Sequence, residues 1–354
     1  MEDIFFFFLV FLSLLNIDIK GVNQFHYDYM DLKNTSSIRG VFVWMIFLKH
    51  YYTYSKKRKY LYIKILRYLA QKIVSLFLFY SGYGIFESIK TKDTNYVKSL
   101  PKKAIILFVK FQIIIFFFFL CNIILGIKIT IRRYLLSMIF ISEIGNSNWF
   151  AFTIITFYLY TYLSFIFIKK ERYFLGIIYL KIIIIIHIYL IFNYFYKKKY
   201  YSIDNSFCFI LGFYYSKIRS ITDRLLMKDD SYYFPILSTI IIVYYSFYKN
   251  TFVCIMNILM IHCFFCIIVT FITMKIRLNN EFLIFLNSHS FSIYLLQRII
   301  MMFVCYKKYF ENNEFMRLFF EFIAIISLSC IFDKFCKIEK LFFKQKKFNK
   351  IVIE

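Results

Sequence analysis

Long apolar runs separated by short polar connections dominate the chain. Most of these runs are of the length that crosses a bilayer as a helix, about 20 residues, and they lack the alternation of a barrel strand, which needs about ten. The sequence contains only 2 prolines and 8 glycines to interrupt helices. The pattern therefore predicts an all-α, polytopic helical membrane protein.

We expect about ten transmembrane helices plus one extra N-terminal helix. The ten are predicted at 38–54, 73–88, 104–127, 149–168, 173–195, 206–218, 232–248, 252–274, 285–304 and 315–336. The run at 206–218 is short for a full crossing. We divide the chain into residues 1–35 (the extra helix and a loop), 36–336 (the membrane domain) and 337–354 (a basic, amphipathic tail at the membrane surface).

Composition excludes other broad classes. The chain has 61% hydrophobic residues and a mean hydropathy of +0.63, which an ordinary soluble domain does not reach. The net charge of +25 suggests nucleic-acid binding, but the lysines lie in short connections between apolar runs, as in membrane proteins. We expect the lipid bilayer as a partner and no nucleic acid. Basic segments at 56–72 and 90–103 lie on opposite sides of the predicted second helix, so they do not determine the orientation.

The 8 cysteines lie mostly within apolar runs. We interpret them as reduced packing residues, because disulfide frameworks belong to small secreted domains. His262, Cys263 and Cys266 have a metal-like spacing, but no second half of a zinc site is visible. We therefore predict no metal.

Arg39 and His50 bracket an apolar stretch with ten residues between them. Eleven steps bring a helix back to within about 20° of its starting direction, so both side chains share one stripe, about 16 Å apart. An arginine can bind an anion, and a neutral imidazole can accept a hydroxyl proton. The alternative is that each residue only lies at a membrane interface.

A second candidate segment, Phe79-Tyr80-Ser81-Gly82-Tyr83-Gly84, combines hydroxyls with small residues. It can form a polar wall, or it can only pack helices closely. We expect Arg39, His50 and the wall of Ser81 and Tyr83 to line one cavity.

Two further segments and three histidines are weaker candidates. Lys102 and Lys103 follow Pro101 at a predicted helix start, where they can bind phosphate or be solvated. Asn148 and Trp149 begin another predicted helix, where capping is the alternative to a binding role. His187 and His262 lie in apolar runs and are more often bonded within a bundle than catalytic, and His289 is more often a capping or interfacial residue.

In order along the chain, these segments resemble the integral-membrane acyltransferase-3 family. The resemblance covers residues 36 to 335 approximately. It rests on Ser37-Ile38-Arg39-Gly40 with His50, Phe79-Tyr80-Ser81-Gly82-Tyr83, Asn148-Trp149-Phe150 with Tyr158, Leu211-Gly212, and Ser290-Phe291-Ser292-Ile293-Tyr294-Leu295.

The resemblance implies transfer of an acyl group, usually acetyl from acetyl-CoA, to a hydroxyl of a cell-surface or secreted carbohydrate. It makes residues 36–336 an acyltransferase domain of a bacterial cytoplasmic membrane, with acyl-CoA as a donor substrate and no bound cofactor. His50 would be the base and Arg39 would help bind the donor. Further donor or substrate contacts are expected from Ser81, Tyr83, Lys102, Lys103, Asn148 and Trp149.

Two positions depart from the family pattern. Many members carry a glutamate a few residues after the tryptophan, where this chain has Ile154, and many carry a histidine after Ile-Tyr-Leu, where Gln297 stands nearby. An inactive member is therefore one alternative. A transporter or flippase of a lipid-linked or anionic substrate is another, although it would favour paired acids within the helices. Membrane acyltransferases that modify lipids or proteins do not match the Arg39 and His50 pattern.

Overall fold

The computed structural model describes residues 2–54, 61–195, 201–249, 255–310 and 313–351. It is 83% helical, which confirms the all-α class. The helices are α1 (Glu2–Leu14), α2 (Leu32–Tyr54), α3 (Leu61–Ile124), α4 (Ile131–Met138), α5 (Trp149–Phe165), α6 (Tyr173–Phe195), α7 (Tyr201–Leu226), α8 (Asp230–Lys249), α9 (Ile255–Lys275), α10 (Glu281–Ser288), α11 (Ser290–Tyr306) and α12 (Glu314–Ile351). Two short strands, β1 (Ile17–Ile19) and β2 (Ile276–Leu278), pair antiparallel.

Four helical segments within the described ranges are long and apolar enough to cross a membrane. They are Ile63–Ile124, Lys170–Leu190, Asn257–Lys275 and Glu314–Lys337, and the bent pair α10 and α11 adds a fifth if it forms one span. The apolar helices α1 and α5 are shorter. The chain thus has the helices of a membrane protein, and the larger number of about ten plus one stays a prediction.

Helix α3 corrects one prediction. Two helices at 73–88 and 104–127 were expected with a loop at 90–103, but α3 consists of two helical parts that are joined at a kink, without such a loop. Within it, Asp93 departs from helical geometry with φ 49° and ψ −140° and marks a kink. The Tyr173 hydroxyl donates a hydrogen bond of 2.5 Å to the Asp93 carboxylate. Pro101 therefore lies inside a helix and does not begin one.

Two other helices differ from the predicted ranges. Helix α7 is 26 residues long, so the short run at 206–218 is only its middle. The run at 285–304 is divided into α10 and α11, which meet at His289 with a bend of 75°. Asn280 caps the start of α10 by accepting a hydrogen bond from the backbone of Leu283.

The segment between α1 and α2 is bound to the start of α8 and to the connection between α9 and α10. Strand β1 pairs with β2, and Arg277 forms an ion pair of 2.6 Å with Asp28. The backbone amide of Asn23 donates a hydrogen bond of 3.0 Å to Asp230 Oδ2 at the start of α8. Hydrogen bonds and ion pairs thus connect the first 31 residues to distant parts of the chain.

Two predicted basic segments, 56–72 and 337–354, fall partly outside the described part of the chain. Residues 55–60 are not described. Helix α12 continues to Ile351, but the side chains from residue 338 onward are not described. The predicted surface location of the tail at 337–354 therefore stays a prediction.

Close crossings of helices fix the positions around the candidate site. A methyl group on Gly82 of α3 would overlap the carbonyl oxygen of Phe209 on α7. One on Gly40 of α2 would overlap the carbonyl of Leu283 on α10. Glycine allows backbones to approach this closely. Each of these glycines stands next to a polar residue of the candidate site.

Candidate functional site

A cavity of about 180 Å³ lies between α2, α3, α5 and α11. Its wall is mainly apolar, with Phe77 of α3 and Phe150 of α5 among the larger side chains. Polar groups come from all four helices, and they are Arg39, Ser81, Tyr158, Ser290, Tyr294 and Gln297. Apolar walls with a few converging polar groups are typical of ligand pockets.

Arg39 supplies the charge in this cavity. Its Nε donates to the carbonyl of Thr35 at 3.2 Å, and Nη2 donates to Ser36 Oγ at 3.4 Å. Its electrostatic neighbours are the hydroxyls of Tyr80 and Tyr158. No carboxylate of a described residue lies within 4 Å of the guanidinium. A partly buried cation without a carboxylate partner is costly, so an anion is the ligand that suits it best.

His50 lies on the same stripe of α2 but beyond the cavity. Arg39, Val43 and Ile46 line the wall at spacings of four and three residues, and His50 follows four residues later. The cavity ends at Ile46, so the expectation that His50 lines it is wrong for this structure. His50 is nevertheless buried, with 6% exposure, and its Nδ1 has no hydrogen-bond partner among the described residues.

Ser81 and Tyr83 do not share a wall. Ser81 lines the cavity, whereas the Tyr83 hydroxyl accepts a hydrogen bond of 2.8 Å from Arg219 of α7. Two residues apart on a helix means a rotation of about 200°, so the two side chains face opposite sides. Gly82 between them packs against α7. The expected wall of Ser81 and Tyr83 is thus reduced to Ser81.

The lysines at positions 102 and 103 do not line the cavity. Lys102 is exposed, and the Lys103 ammonium lies 3.7 Å from the ring centre of Tyr96. Because Pro101 lies inside α3, no helix N-terminus faces a ligand there. The nearest lining residue in sequence is Leu107.

Asn148 and Trp149 also lie outside the lining. Asn148 is buried, donates to the carbonyl of Ser142 and accepts from Asn146, so its side chain holds the turn before α5. It makes no side-chain cap bond. Trp149 packs its ring against Phe150, at 6.2 Å between ring centres. The residues after it, Phe150 and Ile154, contribute to the wall instead.

The polar lining residues that the sequence did not single out for binding lie on α5 and α11. Gln297 donates through Nε2 to the carbonyl of Tyr294 at 3.1 Å, and its buried Oε1 has no partner among the described residues. This oxygen can accept a hydrogen bond from a ligand. For Tyr158 and Tyr294 the sequence did contain a signal, because both belong to segments that carry the resemblance.

The other histidines are bonded within the protein. His187 Nδ1 lies 2.9 Å from the Tyr160 hydroxyl, and His289 Nδ1 lies 2.7 Å from Asp333. His262 Nδ1 lies 2.7 Å from Asn205 Oδ1. The described part of the chain has no group of three or more histidine, cysteine or acidic side chains that could hold a metal ion.

Comparisons with protein-family models, curated proteins and solved structures give no match.

Proposed function

We propose that this chain is a membrane O-acyltransferase that moves an acetyl group from acetyl-CoA to a hydroxyl of a cell-surface or secreted carbohydrate. The proposal includes about ten transmembrane helices plus one in a bacterial cytoplasmic membrane, as in the integral-membrane acyltransferase-3 family. The observation that supports it best is the cavity. Four segments that carry the resemblance, far apart in sequence, contribute Arg39, Ser81, Tyr158 and Tyr294 to one wall.

The cavity suits part of an acyl-CoA donor. Arg39 offers a guanidinium to a phosphate, and Gln297 Oε1 offers an acceptor to an amide N–H of the pantetheine arm. The apolar wall suits the methylene groups of that arm. A volume of about 180 Å³ is smaller than typical ligand pockets of about 300 Å³ or more, so the cavity holds the phosphate beside Arg39 and part of the arm, with the acyl end directed toward His50.

His50 is the proposed general base. Its neutral imidazole takes the proton of the sugar hydroxyl while that oxygen attacks the thioester carbonyl. The tetrahedral intermediate collapses, the C–S bond breaks, and the thiolate takes the proton back to leave as CoA. Because Ile154 is apolar, no carboxylate of α5 assists at that position. This mechanism requires the cavity to extend one helical turn beyond Ile46 when both substrates bind.

Acyl transfer tests the proposal directly. Membranes containing the wild type, His50→Ala or His187→Ala receive labelled acetyl-CoA, and label is followed into extracted glycan. We expect label with the wild type and His187→Ala, at equal protein levels, and none with His50→Ala. Label with all three would remove His50 as the base. Absence of label with the wild type across several glycan acceptors would overturn acetyl transfer.

An anion transporter is the second candidate, because an arginine without a carboxylate partner in a membrane cavity also suits a transported anion. It predicts uptake of labelled anions into proteoliposomes, with loss of uptake in Arg39→Gln. The cavity has no acidic lining residue that could couple such transport to protons. Transport without label transfer would favour this candidate.

A further inference from the structure

Three basic side chains lie together beyond the Ile46 end of the cavity. Lys49 and His50 are adjacent on α2, and Arg298 follows Gln297 on α11. Each of the three lies close enough to the other two for positive charges on them to repel one another. We call Lys49, His50 and Arg298 the distal basic cluster.

The distal basic cluster forms no ion pair with a carboxylate of the described residues. No carboxylate of a described residue lies within 4 Å of Lys49 or Arg298. Arg298 donates through Nη1 to the carbonyls of Gly145 at 3.4 Å and Asn146 at 3.2 Å. Its Nε and the Nδ1 of His50 are buried without a hydrogen-bond partner in the described structure.

Several other partly buried cations of the described structure are paired with a carboxylate, although Lys72 and Arg39 are not. Lys275 lies 2.5 Å from Asp230, Arg317 lies 2.9 Å from Glu321, and Lys110 lies 2.7 Å from Asp333. Each of these carboxylates offsets part of the cost of removing the cation from water. The distal basic cluster has no such carboxylate, so an anionic ligand would stabilise it.

We propose that the distal basic cluster binds an anionic group, a carboxylate or a phosphate, of the carbohydrate acceptor. This inference rests on the proposed function and names its acceptor class. Arg39 then binds the donor, and the cluster binds the acceptor farther along α2, about 16 Å from Arg39. Binding the anion beside His50 places a neighbouring sugar hydroxyl at the base, which is a positioning role for Lys49 and Arg298.

The first test compares acceptors and variants in the full-length protein. Acetyl transfer is measured for a uronate oligosaccharide and for its neutral counterpart, with the wild type, Lys49→Gln and Arg298→Gln. We expect the KM for the uronate to rise at least tenfold in each variant, with the KM for acetyl-CoA unchanged. Lys33→Gln is the control, because Lys33 is an exposed cation near the other end of α2. Equal use of the neutral and acidic acceptors by the wild type would overturn the inference.

The second test separates this inference from the proposed function. Binding of the uronate oligosaccharide and of a sugar phosphate is measured by calorimetry without acetyl-CoA, in nanodiscs of zwitterionic lipid. We expect binding to the wild type and Lys33→Gln and at least tenfold weaker binding to Arg298→Gln, with matching thermal midpoints showing that the variants are folded.

The pair of probes shows which anion the cluster prefers, and a repeat in anionic lipid shows whether lipid phosphate competes. Binding that depends on Arg298 without acetyl transfer to any acceptor would leave the anion site standing and remove the acyltransferase. Equal binding to the wild type and Arg298→Gln, or no binding of either probe to the wild type, would overturn the anion site itself.

Discussion

Gly82 of α3 and Gly212 of α7 meet where the two helices cross. A methyl group on Gly82 would overlap the carbonyl of Phe209, and one on Gly212 would overlap the carbonyl of Phe79 and crowd the amide of Tyr83. The two backbones are therefore in direct contact. This contact fixes the rotation of α3 that directs Ser81, the residue before Gly82, into the cavity wall.

We expect Gly212→Ala to destabilise the protein, because the added methyl group meets backbone and not a flexible side chain. Overpacking of this kind costs about 1–3 kcal/mol of the free energy of unfolding. Thermal unfolding in detergent, followed by tryptophan fluorescence, measures the change.

Gly84→Ala is the matched control for this substitution. A methyl group at Gly84 meets nothing within 4 Å, and alanine is the better helix former by about 1 kcal/mol. Its melting temperature should equal or exceed that of the wild type. Equal losses in Gly84→Ala and Gly212→Ala would show that the crossing is not the sensitive contact.

A second prediction concerns donor binding at Arg39. Charge-assisted hydrogen bonds contribute about 1.5–3 kcal/mol, and 1.4 kcal/mol corresponds to a tenfold change in affinity. Arg39→Gln should therefore weaken binding of a non-reactive CoA thioether at least tenfold, measured by calorimetry in nanodiscs. The affinity of Arg39→Lys should lie between those of the wild type and Arg39→Gln, because lysine keeps the charge but loses the planar fork.

The control for donor binding is Lys102→Gln, which removes an exposed cation of α3. It should bind the thioether as the wild type does. A loss in Lys102→Gln as large as that in Arg39→Gln would mean that general positive charge, and not the cavity, attracts the ligand.

Hydropathy predicted the apolar helices well where polar residues delimit them. Helix α6 matches its predicted range, 173–195. Hydropathy wrongly predicted a loop at 90–103. Lysine-rich sequence is typical of a loop, but lysine is also a good helix former. The kink at Asp93 and the bend at His289 depend on tertiary contacts that periodicity does not contain.

Membership of the cavity was only partly predictable. The 11-residue spacing of Arg39 and His50 correctly placed both on one stripe of α2. It did not predict where along α2 the cavity ends. The rotation of α3 should have separated Ser81 from Tyr83, since two steps along a helix turn about 200°. Gln297 was noted only as a departure from a histidine, and its contact with the cavity depends on how α11 packs.

A third prediction concerns the bend between α10 and α11. Asp333 of α12 accepts hydrogen bonds from Ser292 Oγ at 2.8 Å and from Lys110 Nζ at 2.7 Å, and it lies 2.7 Å from His289 Nδ1. Breaking a buried charge pair costs about 3–5 kcal/mol, and partial exposure reduces this to an expected 1–3 kcal/mol for Asp333→Asn. Thermal unfolding measures it.

Lys33→Gln provides the comparison for Asp333→Asn. The pair between Lys33 and Glu281 is exposed on both sides, at 60% and 79%, and such pairs contribute about 0–1 kcal/mol. The melting temperature should therefore fall much less than in Asp333→Asn. If the two variants lose the same stability, the hydrogen bonds to Asp333 do not hold the bend.

The last prediction is a pH dependence that His26 gives to the connection between α1 and α2. Burial lowers the pKa of His26 below its ordinary value of 6.5, since the charged imidazolium is poorly solvated there. The unfolded chain therefore binds a proton more readily than the folded one. The contribution of His26 to stability is complete above pH 6.5 and is lost as the pH falls through that value toward the folded-state pKa.

His26→Gln should remove this part of the pH dependence while keeping a donor for the carbonyl of Asp18, which lies 3.2 Å from His26 Nε2. The measurement is the thermal midpoint in detergent at a series of pH values from about 7.5 to about 5. The wild type should lose stability over this range more steeply than His26→Gln. Parallel curves for the two proteins would show that protonation of His26 is not coupled to unfolding, because removing the imidazole would then leave the difference in bound protons unchanged.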